Sequence, residues 1–349
     1  MRAAIAAAER HGAVGAGEPA GLNVVCVGGG TGLATLLSGL KAYTRRPGSA
    51  EGAAQAQNLI GKLTAIVTVS DDGGSSGRLR EEFRILPPGD IRNCIAALSE
   101  DTTLLMRLFK YRFEGNGTLG GHSFGNLLLT ALTSVTGDFV QAVRVVSEVL
   151  AIKGTIYPST RENVHIVAEL ADGSVVHGES RIAQSAIPIR SIRLEPEGCR
   201  PLPEAIDAIR TADLVVLGPG SLYTSIAPNI LVRGVADVLR GSRARRVYVC
   251  NLMTQAGETA GFTASMHVKA LMEVAGPGLF DTVLVNSRIP PEVLVEKYRR
   301  ESAEVVLVDS AGLDKLGVAT VRRDLMSATD LVRHDPSLLA GEVLALARA

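Results

Sequence analysis

The stretch Asn23-Val24-Val25-Cys26-Val27-Gly28-Gly29-Gly30-Thr31-Gly32 decides the fold. An apolar run of strand length ends in a glycine turn. Leu33, Leu36, Leu37 and Leu40 then recur at i, i+3, i+4 and i+7, the buried stripe of a helix. Working outward, Leu63 to Val69 is a second apolar strand, which completes a βαβ unit with parallel strands and a right-handed crossover. Residues 45–58 between them are small, polar and aperiodic, and read as an inserted surface loop. Alternation resumes at Asp213 to Leu217, Arg246 to Cys250 and Thr282 to Asn286, and fades near Val305 to Val308. Helical patterns separate these runs, so the fold class is α/β: a doubly wound, mostly parallel Rossmann-like sheet. Val164 to Glu169 and Val175 to Glu179 flank an Asp172-Gly173 turn, a hairpin in a small antiparallel β insert spanning about 155–195. Residues 22–345 are expected to form a single α/β domain. Residues 1–21, rich in Ala and Gly, read as a flexible N-terminal extension rather than a signal peptide.

The 349 residues are 46% hydrophobic with no net charge, enough for a well-buried core and without the basic footprint of a nucleic-acid or anionic-membrane binder. Arg243, Arg245 and Arg246 flank a strand and read as a solvated face. No apolar run approaches the ~18–20 residues of a membrane span. Cys26, Cys94, Cys199 and Cys250 have neither pairing nor metal-ligand spacing, and read as reduced thiols in a cytoplasmic protein.

Three glycine turns follow apolar runs: Gly28 to Gly32, Asp71-Asp72-Gly73-Gly74-Ser75-Ser76-Gly77, and Gly218-Pro219-Gly220-Ser221. Such turns expose main-chain N–H groups to a phosphate at the carboxyl edge of a sheet, although a tight βα turn also needs glycine for backbone reasons alone. The first is not the full dinucleotide fingerprint, because Leu33 takes the place of its third glycine. In the second, two adjacent carboxylates must be solvated or paired with a cation, a ribose diol or Arg78. Asp90 is placed to cap a helix beginning at Ile91, with Arg92 and Asn93 as further donors. His122 stands alone at a helix start, with Ser123 as N-cap and Asn126 following, which argues against a metal site. Asn251 to Gln255 follow another strand, with amides suited to a base or sugar hydroxyls.

Six ordered strings together resemble the gluconeogenesis-factor (YvcK-like) family: 28–32, 70–77, 87–93, 122–126, 218–225 and 251–255. The resemblance covers roughly residues 22–345, and the 2-phospho-L-lactate transferases are a related branch. It implies a cytoplasmic UDP-N-acetylglucosamine-binding regulator needed for cell shape and wall precursor supply during growth on gluconeogenic carbon. It also implies Tyr298 and Arg333 as nucleotide-sugar contacts. A tyrosine can stack on uracil, and a guanidinium suits a diphosphate. The ligand-binding set expected on both grounds is Gly28, Gly29, Gly30, Thr31, Gly32, Asp71, Asp72, Asn93, His122, Asn126, Gly220, Ser221, Asn251, Tyr298 and Arg333. Asp71 and Asp72 would take ribose or sugar hydroxyls. No cofactor, metal or catalytic residue is expected, although the fold also accommodates NAD(P). Expected partners are a nucleotide sugar, a regulatory protein of wall precursor synthesis and further copies of the chain. The alternative is a phosphoryl-nucleotide-dependent transferase, in which Asp71 and Asp72 hold a cation or act as base.

Overall fold

Parallel strands covered on both faces need apolar residues at every position. That is the pattern of β1 (Leu22–Gly28) from Val24 onward and of the four-residue strand Leu214–Leu217, all of whose residues are buried. A computed structural model describes residues 21–44, 59–99, 104–327 and 329–348. The 45–58 insert and, apart from Gly21, the N-terminal extension lie outside the described residues. In chain order the further strands are β2 (Ile60–Val67), β3 (Thr155–Pro158), β4 (His165–Leu170), β5 (Val175–His177), β6 (Ile189–Glu195), β7 (Leu214–Leu217), β8 (Arg245–Val249), β9 (Thr282–Asn286) and β10 (Ala319–Arg323).

Seven of them form one sheet in the order β10-β9-β8-β7-β1-β2-β3, and every adjacent pair is parallel. The direction of winding reverses between β1 and β7, and a crevice at the carboxyl ends is expected at that switch point. The other three, in the order β5-β4-β6, form the antiparallel insert. Thr155 to Pro158, which the sequence pattern groups with the insert, instead pair with β2 as the outer strand of the main sheet. Four residues are too few to show a period. The last strand also differs from expectation. Val305 makes only an isolated bridge to Met253, and β10 takes the edge at 319–323. As an edge strand β10 buries none of its residues fully, so it lacks the apolar run that betrays a central strand.

The helix Gly30–Leu40 buries Leu33, Leu36, Leu37 and Leu40 completely, each worth about 1.5–3 kcal/mol relative to exposure. It packs on the helices Gly89–Leu98 and Pro336–Leu346. A Cβ on Gly39 would collide with the carbonyl oxygen of Pro336, so this crossing requires glycine. One main hydrophobic core runs beneath both sheets. A second small cluster joins Leu252, Met253, Met326 and Val332, with Tyr298 against it. Arg246 is not a solvated residue: its guanidinium grips Asp281 with two arms, Nε to Oδ2 at 3.1 Å, and its side chain is only 14% exposed. All four cysteines are free and buried. Among the described residues no helix is long and apolar enough to cross a membrane.

Candidate functional site

The first glycine turn delivers β1 into the helix Gly30–Leu40, with Gly30 at φ +62° and Gly29 as an N-cap that offers no side chain. First-turn amides left without a side-chain cap are donors for an anion. The second turn leaves β7 through Gly218 (φ +81°) and enters a π-helical turn, Leu222–Ile226. The two turns are pressed together: a Cβ on Gly32 would strike the carbonyl oxygen of Pro219. Asn251, just after β8, braces the second turn by accepting from the Gly220 N–H (3.3 Å) and donating to the Gly220 carbonyl (2.8 Å). Gln255 Nε2 donates to Ser221 Oγ at 2.9 Å. Behind them Glu258, buried, accepts from the Tyr223 N–H (2.8 Å), the Thr224 N–H (3.3 Å) and the Thr224 hydroxyl (2.7 Å). Burial raises its carboxyl above the ordinary range, and these three donors hold it back.

These elements enclose a cleft of about 500 Å³ at the switch point. Of the residues expected from sequence it gathers Gly29, Gly30, Thr31, Gly32, Gly220, Ser221, Asn251, Tyr298 and Arg333. Tyr298 is brought in by the helix Glu292–Arg299 and held by the small apolar cluster, with its hydroxyl donating to the Val332 carbonyl at 3.4 Å. Arg333 follows Val332 directly and presents an exposed guanidinium. The cleft also contains Thr254, from the 251–255 string, and Thr35, Glu301 and His334, which no motif points to. His334 is half-buried, and desolvation lowers its imidazole to about 4, so it is neutral at physiological pH.

Gly28, Asp71, Asp72, Asn93, His122 and Asn126 do not line this cleft. The two adjacent aspartates diverge. Asp71 Oδ1 accepts from the Gly73 N–H (2.8 Å), whereas Asp72 Oδ1 accepts from the Ser180 N–H at the insert (2.9 Å). His122, Asn126 and Ser75 form a separate buried chain: Asn126 Nδ2 lies 3.0 Å from Ser75 Oγ, which lies 2.9 Å from His122 Nδ1. Desolvation and the charge of Arg78 lower the His122 imidazole from its ordinary value, which favours the neutral ring in this chain. Asn93 accepts from Arg92 at 2.7 Å. Ser123 is the N-cap anticipated for the helix Phe124–Thr136, with the Asn126 N–H at 3.2 Å.

Asp90 is not a cap. The helix begins at Gly89 with Pro88 as N-cap, and the Asp90 carboxylate turns toward the first glycine turn. A Cβ on Gly29 would lie 2.5 Å from its Oδ2. Burial and the charge of Asp71 push Asp90 up to about 7, against the pull of the Gly30 amide and Arg92. Glu179 adds to the same acidic wall: burial, then the charges of Asp90 and Asp71, raise its carboxyl well above the usual range. Among the described residues no group of three or more His, Cys, Asp or Glu side chains is spaced to hold a metal ion.

Sheet order, paired glycine turns and the cleft between them define a doubly wound α/β protein with a cleft at its topological switch point, where such folds place their ligand crevice. The family model described as 2-phospho-L-lactate transferase CofD matches residues 24–326. The chain belongs to the gluconeogenesis-factor family. It is 46% identical over 323 residues to the gluconeogenesis factor of Halalkalibacterium halodurans, covering 92% of this chain and 95% of that protein. To the Bacillus subtilis gluconeogenesis factor it is 46% identical over 318 residues, or 91% and 95% of the two chains. A crystal structure of a UPF0052-family protein from Bacillus halodurans superposes with TM-score 0.85 at 45% identity, covering 92% of this chain and 99% of that one.

Proposed function

We propose that this chain is a cytoplasmic, homo-oligomeric sensor that binds UDP-N-acetylglucosamine in the switch-point cleft. A regulatory partner in wall precursor supply reads its occupancy during gluconeogenic growth. The observation that carries the reading is convergence. Two glycine turns, Asn251, Tyr298 and Arg333, drawn from five separate parts of the chain, meet around one cleft. The turn amides and Arg333 suit a diphosphate, and Tyr298 offers a ring for the base. Thr35, Asn251, Gln255 and Glu301 are the groups available for sugar hydroxyls, a role that the sequence pattern gives to Asp71 and Asp72.

The acidic wall supports a second reading. Asp71, Asp90 and Glu179 crowd negative charge beside Gly29, where a cation bridging to a nucleotide phosphate would relieve it and assist transfer. Titration with UDP-N-acetylglucosamine, NAD(P) and GTP, with and without magnesium and followed by product analysis, separates the two. Saturable UDP-sugar binding without turnover supports the sensor. A magnesium-dependent phosphoester product overturns it.

A further inference from the structure

Outside the switch-point cleft, a second cavity of about 300 Å³ lies between the helix Gly74–Phe83 and the antiparallel insert. Three arginines face it from two elements. Arg80 comes from the helix, Arg84 from its C-terminal cap, and Arg181 from the short helix Glu179–Ile182. His165 opens β4 and His177 closes β5 on the same cavity.

Arg80 is the informative residue. Its side chain is buried, only 3% exposed, yet among the described residues it makes no ion pair within 4 Å. Its terminal nitrogens donate to two neutral carbonyls, those of Ser70 (3.4 Å) and Val164, and its Nε has no partner at all. A buried guanidinium that meets only neutral acceptors keeps most of its desolvation cost. Burial accordingly lowers it from the usual arginine value, and the more distant Asp72 and Asp71 offset this only in part. Arg84 and Arg181 have no side-chain hydrogen bond or ion pair among the described residues. Arg84 also adopts φ +54°, a left-handed conformation uncommon for a non-glycine residue, and holds its side chain at the rim. The acid nearest the floor, Asp72, is already engaged by the Ser180 N–H.

We propose that this cavity binds the dianionic phosphate group of a small phosphorylated molecule. Three planar guanidinium forks supply more donors than the two oxygens of a carboxylate can accept, whereas a phosphate monoester presents three terminal oxygens. Asn163 and Glu81 at the rim suit hydroxyls on the rest of such a molecule. Asp72 lines this cavity, whereas its neighbour Asp71 stands with Asp90 and Glu179 in the acidic group near the first glycine turn. The proposal does not depend on the identity of the main-cleft ligand.

The test is calorimetric titration of inorganic phosphate and of glycerol 3-phosphate into the full chain and into an Arg84→Ala/Arg181→Ala double variant, each with and without UDP-N-acetylglucosamine. Both substitutions are at exposed positions, so the variant is expected to melt like the parent. The expected result is one saturable site per chain that persists in the presence of UDP-N-acetylglucosamine and weakens ~100-fold in the double variant, two charge-assisted contacts at ~10-fold each. Tighter binding of the ester identifies a phosphorylated metabolite, and equal binding identifies free phosphate. Unchanged affinity in the double variant, or no saturable binding of either probe, overturns the proposal. So does displacement of phosphate by UDP-N-acetylglucosamine. The variant comparison decides the matter even if no UDP sugar binds.

Discussion

Asp90 shows how one desolvated carboxyl ties two motifs together. Its folded-state value of about 7 lies above the ordinary 3.8, so the folded chain holds a proton there that the unfolded chain has already released. Its contribution is therefore present below the unfolded value and is lost as pH rises through about 7. Asp90→Asn should gain thermal stability relative to the parent at pH 8 compared with pH 5. Melting curves of both proteins at the two pH values check this, and a parallel pH dependence would contradict it. Taking the difference between variant and parent cancels the opposite contribution of His334, whose lowered value costs stability as pH falls toward about 4. At the cleft, Tyr298→Ala and Arg333→Ala should each weaken UDP-N-acetylglucosamine binding roughly 10-fold to 100-fold with little change in melting temperature. Equilibrium titration of the two variants measures it.

At the scale of elements, glycine contacts separate folding from binding. Gly39 sits where two helices cross, far along the helix from its N-terminal turn, and Gly32 sits where the two glycine turns touch. Gly39→Ala should destabilise by about 1–3 kcal/mol and leave the affinity of the folded protein nearly unchanged. Gly32→Ala should lose affinity out of proportion to stability, because Pro219 must shift and the cleft with it. Denaturant titration beside ligand titration distinguishes them. The same scale explains what could be read in advance. The turn glycines and the Leu33-Leu36-Leu37-Leu40 stripe are local patterns, and their elements stand where expected. Strand β10 was not legible, since an edge strand of Ala, Thr, Val and two arginines lacks an apolar run. Nor was the part played by Asp90 or Glu258. Asp90 answers to Gly29 and Gly30 about sixty residues away, and Glu258 to Tyr223 and Thr224 across 35 and 34 positions. No local window shows such pairings. The adjacent aspartates illustrate the limit well: neighbours in sequence, they take different partners, Asp71 within its own turn and Asp72 at the insert.

For the whole molecule, the winding reversal between β1 and β7 places the cleft, and the cleft gathers residues from Gly29 to His334. A ligand that bridges segments so far apart in sequence should stabilise the chain as a unit. UDP-N-acetylglucosamine at a hundred times its dissociation constant should add about 2.7 kcal/mol, read as a rise in melting temperature. The most direct measurement is isothermal titration of UDP-N-acetylglucosamine into the full chain and into Tyr298→Ala/Arg333→Ala, with the parent mixture then analysed for products. The account predicts saturable one-site binding by the parent, recovery of the nucleotide sugar intact, and loss of binding in the variant. Absence of binding by the parent, equal binding by the variant, or conversion of the nucleotide sugar would contradict it.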